Sequence, residues 1–172
     1  MSSMTAARAP TEPSSPDGPE VGDIRALLKA RRFSDAAEKA ARLAAATPGH
    51  RDALYLLALA QRQQHRLREA LATLEQLERH HPTFSRLFQE RGHCYVALKD
   101  APRAIAAYRR AVEINTTLSA TWSMLEGLYR MLGDARNAAL AAAQVTAVKA
   151  LPPVKTLPAQ GPPVESERPA FG

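Results

Sequence analysis

Cysteine is almost missing from this chain of 172 residues: Cys94 stands alone, so no disulfide within the chain can staple the fold. A reducing, cytoplasmic setting is the expectation. Aromatic residues make up only 5% and β-branched runs are absent, which argues against a sheet. Much of the 45% hydrophobic content is alanine, and small side chains favour close helix–helix contact over a thick sandwich core. No run of about 18 apolar residues exists to span a membrane. The opening "MSSMTAARAPTEPSSPDGPE" has no apolar stretch of the kind a secretory signal needs.

The net charge of +6 comes mostly from arginines set among alanines. Solvated helix faces account for most of that excess, and an acidic partner or nucleic acid for the remainder. Nucleic acid is the weaker of these, because the basic residues are spread over many segments and few aromatics could stack on bases.

Proline is rare where it matters. Four prolines precede residue 20 and six follow residue 151, leaving only Pro48, Pro82 and Pro102 between them. The ends, 1–19 and 152–172, therefore read as proline-rich tails, and the middle, 20–151, as one all-α domain. In that middle, apolar residues recur at three- and four-residue steps, as in Leu54, Leu57 and Ala58, or Ala104, Ala107, Tyr108 and Ala111.

A longer period overlies the helical one. Ala36, Ala70, Ala104 and Ala138 fall 34 residues apart. So do Leu54, Phe88 and Trp122; Tyr95 and Tyr129; and Ala26, Ala60, Cys94 and Leu128, while Leu57 and Leu125 lie two such steps apart. The frame divides the chain into a degenerate unit, 17–50, and repeats 51–84, 85–118 and 119–152. Each repeat reads as two helices: first helices over about 52–64, 86–98 and 120–132, second helices over about 67–80, 101–115 and 135–150. Asp100 and Asp134 are placed to cap second helices, Pro102 sits in a first turn, and Gly133 suits a left-handed helix end.

"ATWSMLEGLYRMLGDARNAALAAA" and "LFQERGHCYVALKDAPRAIAAYRRAVEIN" carry this pattern best, and they resemble the tetratricopeptide repeat. The resemblance implies a right-handed superhelical solenoid of antiparallel helix pairs, with first helices lining a concave groove that takes a peptide or a partner domain. The positions expected there include Arg25, Lys29, Tyr55, Leu59, Arg62, Arg86, Gln89, His93 and Arg130. Arginines with Tyr55 and Leu59 between them suit an acidic, partly apolar peptide. Some members of the family hold a chaperone's terminal carboxylate with Lys and Asn clamps. The matching positions here are Val21, Arg25, Tyr55, Leu59, Gln89 and His93, so that clamp is not expected.

"QERGHCYVALKDAPRAI" and "WSMLEGLYRMLGDA" also resemble the N-terminal repeat section of bacterial proteins that carry a sulfotransferase domain after their repeats. The alternative reading is thus a truncated, non-catalytic part of such an enzyme, orienting a protein substrate. No glycine-rich strand–loop–helix for a phosphosulfate donor is present, so activity is not carried over.

The first unit departs from the pattern with Glu20 and Asp23, as a polar cap of the stack would. Arg91 and Glu126 replace apolar or small residues and are expected to pair across adjacent first helices. Leu140, Val145 and Val148 in the last helix form an expected partner face, for self-association or docking of another domain.

Catalysis and metal binding find little support. His50, His65, His80, His81 and His93 offer no pair at the spacing of four that places two ligands on one helix face. His93 and Cys94 are adjacent, and neighbours on a helix point about 100° apart. Glu75 and Glu78 read as a solvated outer face. No enzyme, cofactor or metal is expected.

Overall fold

The computed structural model describes residues 18–152, so the expected tails fall outside it except for residues 18, 19 and 152. Eight helices follow in order: α1 (Pro19–Lys29), α2 (Phe33–Ala46), α3 (Arg51–Gln63), α4 (Leu67–His80), α5 (Ser85–Ala97), α6 (Ala101–Ile114), α7 (Ser119–Met131) and α8 (Ala135–Lys149). Each packs on the next in sequence, and α1, α3 and α5 also touch as a row of first helices. The architecture is a solenoid of helix pairs.

The alanine series explains how tightly each pair closes. Ala36, Ala70 and Ala104 are fully buried and Ala138 nearly so. With a methyl at each crossing, the partner helix can approach closely. Bulk is supplied beside these crossings. Leu54, Leu74, Leu77, Leu87 and Phe88 build one core at the junction of α3, α4 and α5. Val21, Ile24 and Leu56 anchor a second. Tyr108, Val112, Leu125 and Leu128 anchor the third. Each fully buried Leu contributes about 2 kcal/mol relative to exposure.

The two-helix units are hinged by one repeated turn. Arg31, His65 and Lys99 have φ near 60°, and Gly133 has φ 75°. These positions are 34 apart, so one left-handed residue ends every first helix. The hydrogen bonds repeat with them: Arg32 N–H to Leu27, Arg66 N–H to Gln61, Asp100 N–H to Tyr95 and Asp134 N–H to Tyr129, each 2.9 Å. This is a Schellman closure, and its last residue begins the following helix. Asp100 and Asp134 accept from the backbone N–H of Arg103 and Asn137, as their positions suggest. His50 caps α3 through Nδ1 in the same way, a role its side chain does not advertise.

Gly92 sits against Tyr108. A Cβ built on it would lie 2.3 Å from Tyr108 Cε1, so only glycine lets α5 meet that ring.

The expected Arg91–Glu126 pair does not form. Arg91 Nη2 donates to Glu78 of α4 at 2.5 Å, and Arg130 forms an ion pair with Glu126 within α7 at 2.7 Å. The repeat register gives the reason. Arg91 matches Leu125, whereas Glu126 matches Gly92, one residue round the helix. One residue turns a side chain by about 100°, so the two charges address different neighbours.

Candidate functional site

The row of first helices brings several of the expected groove residues together around Tyr55. Burial raises the Tyr55 phenol and Glu90 adds to that, while Arg86, Arg62 and Arg25 pull the other way. Cations from α1, α3 and α5 thus act on a single half-buried ring. The ring itself stands edge-on to Phe84, with centroids 5.5 Å apart. Arg62 Nε donates to Glu90 Oε2 at 2.7 Å, and the Glu90 side chain is only 8% exposed.

His93 is tied inward. Its Nδ1 lies 2.7 Å from the Tyr108 hydroxyl of α6, which donates to it when the ring is neutral. Burial holds the imidazole below its ordinary pKa, against the pull of Glu90 and with a smaller push from Arg62. Burial raises Tyr108 as well. The neighbouring thiol of Cys94 is buried, and desolvation pushes it up to about 11, so it stays protonated and unreactive at neutral pH.

The other expected groove residues are not among the groups that act on Tyr55. Lys29 is exposed at the end of α1, and Leu59 and Gln89 are half-buried along α3 and α5. Arg130 is engaged by Glu126 on the exposed side of α7. Of the expected partner face, Leu140 is 58% exposed, while Val145 and Val148 are half-buried. Leu140 lines a groove of about 420 Å³ between α6, α7 and α8 that Val145 and Val148 do not line.

Glu90 is the residue that sequence reasoning missed. It stands where the flanking repeats carry Leu56 and Met124, and a carboxylate in an apolar register was the readable sign. Tyr108 was visible only as a core residue, because its hydroxyl partner comes from another helix. Among the described residues no cluster of three or more His, Cys, Asp or Glu side chains could hold a metal ion. No helix among them is long and apolar enough to cross a membrane.

Comparison with known proteins agrees with this geometry. The tetratricopeptide repeat family model matches residues 24–83 and again 55–119. Among solved structures, TTC0263, a thermophilic TPR protein of Thermus thermophilus, is 25% identical with a TM-score of 0.67, over 79% of this chain and 75% of that one. MamA 41-end from Desulfovibrio magneticus RS-1 is 20% identical with a TM-score of 0.67, over 80% and 77%. The MamA RS-1 ArsTM double mutant gives 20% and 0.68, over the same shares. No curated protein sequence matches. The resemblance to sulfotransferase-linked repeats gains no support from these likenesses. With the family model spanning residues 24 to 119 and consecutive helix pairs throughout, the chain belongs to the tetratricopeptide repeat family.

Proposed function

We propose that the chain is a non-catalytic scaffold whose first-helix face binds an extended partner segment bearing carboxylates and apolar side chains. One observation carries this reading. Arg25, Arg62 and Arg86, from three successive first helices, all act on Tyr55, and Glu90 is the one carboxylate acting there with them. Arginines from three successive first helices beside one aromatic ring favour a ligand that brings negative charge and apolar groups. Half-buried Leu59 and Tyr55 give such a ligand apolar contacts beside the charges. The single buried thiol fits a reducing, cytoplasmic setting.

The test is a fluorescence titration with a panel of acidic–apolar peptides, their charge-reversed counterparts and single-stranded RNA. The acidic peptides bind, more weakly as salt rises, and Arg86→Glu weakens them about tenfold, roughly 1.4 kcal/mol. Equal binding of charge-reversed peptides, or preference for RNA, would overturn the reading.

A further inference from the structure

The stack holds two grooves whose linings correspond one repeat apart. The earlier groove, between α4, α5 and α6, encloses about 360 Å³, and the later one, between α6, α7 and α8, about 420 Å³. Both have an aromatic floor: Phe88 and Tyr95 in the first, Trp122 and Tyr129 in the second.

Their walls differ in a directed way. In the earlier groove the chain covers its own aromatics. Arg91 and Arg110 lie over the Phe88 ring at 5.2 and 5.8 Å, Arg103 lies over Tyr95 at 5.5 Å, and Arg91 is held by Glu78. In the later groove the matching positions hold Val112, Leu125, Asn137 and Gln144, with no cation among them to lie over the rings. Ala106 is replaced by Leu140, which is 58% exposed. A groove whose aromatic floor is covered by its own arginines has become one in which the matching positions leave the floor uncovered.

We infer that this later groove is the docking site of the chain's own proline-rich segment, residues 153–172. That segment begins shortly after α8 ends at Lys149, and α8 side chains form one wall of the groove. From Leu151 back to Leu140 is about 16 Å at the rise of a helix. About five or six residues at the 3.1 Å rise of a polyproline helix cover that distance, and the segment is longer than this. Its composition fits the site. Proline fixes φ in advance and so lowers the entropy lost on docking, and aromatic-lined grooves are the general receptors for such segments. Beside Pro153, Pro158, Pro162, Pro163 and Pro169, the segment carries Leu157, Val164 and Phe171 to fill an apolar cleft. Arg109 and Glu113 in the groove present one charge of each sign, and the segment carries Lys155, Glu165, Glu167 and Arg168. The surface is separate from the first-helix face of the proposed function, so either reading can fail without the other.

Trp122 is the only tryptophan in the chain, which makes the floor of the groove its own reporter. The experiment is acrylamide quenching of Trp122 in three full-length proteins: the parent, a segment variant with Leu157→Asp, Val164→Asp and Phe171→Asp, and a groove variant with Leu140→Asp. The expected result is a quenching constant about threefold higher in both variants. A synthetic peptide of residues 153–172 should restore protection to the segment variant but not to the groove variant. Should Leu140→Asp lose helicity by circular dichroism, the segment variant, which changes no residue of the helices, decides alone. Equal quenching in parent and segment variant overturns the inference. So does protection of Trp122 that rises with protein concentration, because the occupant would then be a second copy of the chain.

Discussion

Arg62 on α3 and Glu90 on α5 form an ion pair of 2.7 Å that fastens two first helices to each other from adjacent repeats. Both side chains are mostly removed from water, with 23% and 8% of their surface exposed. Breaking such a pair leaves a charge stranded where it cannot be solvated. Arg62→Met is therefore expected to destabilise the chain by about 3–5 kcal/mol. Adding Glu90→Leu should recover most of that loss, because an apolar pair suits a register that flanking repeats fill with Leu56 and Met124. Urea unfolding of the two variants measures both effects. A double variant as unstable as the single one would show that the pair is not what the site depends on.

Gly92 makes a second prediction with an opposite kind of cause. Its missing side chain is space that the Tyr108 ring already fills. Gly92→Ala should cost about 3 kcal/mol, at the upper end of ordinary overpacking, because both the helix backbone and the ring would have to move. Combining it with Tyr108→Ala should remove the clash, so the two changes should destabilise by less than their sum. Strict additivity in thermal unfolding would count against the contact.

The pH dependence should carry the mark of His93. Its folded pKa lies below the ordinary value of 6.5, chiefly through burial. Below pH 6.5 the unfolded chain thus binds a proton that the folded chain refuses. The linked stability is fully present above pH 6.5 and is lost as pH falls from there to the folded pKa. His93→Gln should flatten this part of the profile relative to the parent. Denaturant midpoints from pH 7.5 down to 5.0 provide the comparison, and parallel profiles for the two proteins would refute the assignment.

Arg91 is the place to test pair selection. A double-mutant cycle between Arg91→Leu and Glu78→Ala should give a coupling of up to about 1 kcal/mol, modest because Glu78 is 38% exposed. The cycle between Arg91→Leu and Glu126→Ala should give none, since the two face different helices. Coupling in the second cycle and not the first would reverse the structural account.

The fold was legible because a single number, the 34-residue period, specified helix count, turn positions and the alanine crossings together. Even the helix limits followed to within one or two residues, since Asp100, Asp134, Pro102 and Gly133 are local signals read without a partner. The candidate site was legible in part. Tyr55, Arg25, Arg62 and Arg86 share the first-helix face by register alone. What could not be read was how charges choose among neighbours. Arg91 and Glu126 looked like partners in sequence, but one residue of helix rotation sends them apart. Glu90 needed the opposite inference, from an apolar slot filled by a carboxylate to an arginine 28 residues upstream. The left-handed turns at Arg31, His65 and Lys99 were hidden too, because only Gly133 among the four carries the residue type that announces such a backbone.

That last difference bears on how the stack comes apart. A left-handed backbone costs an ordinary residue roughly 1 kcal/mol more than glycine, so three of the four turns hold back some of the stability their repeats could have. The fourth, Gly133, carries no such steric cost, and it leads into α8, which buries only Ala138 and Ala141. A helix that buries only small side chains has little packing to set against local opening. A hinge without backbone strain leaves more of the packing of α7 and α8 to hold the shape of the groove between α6, α7 and α8.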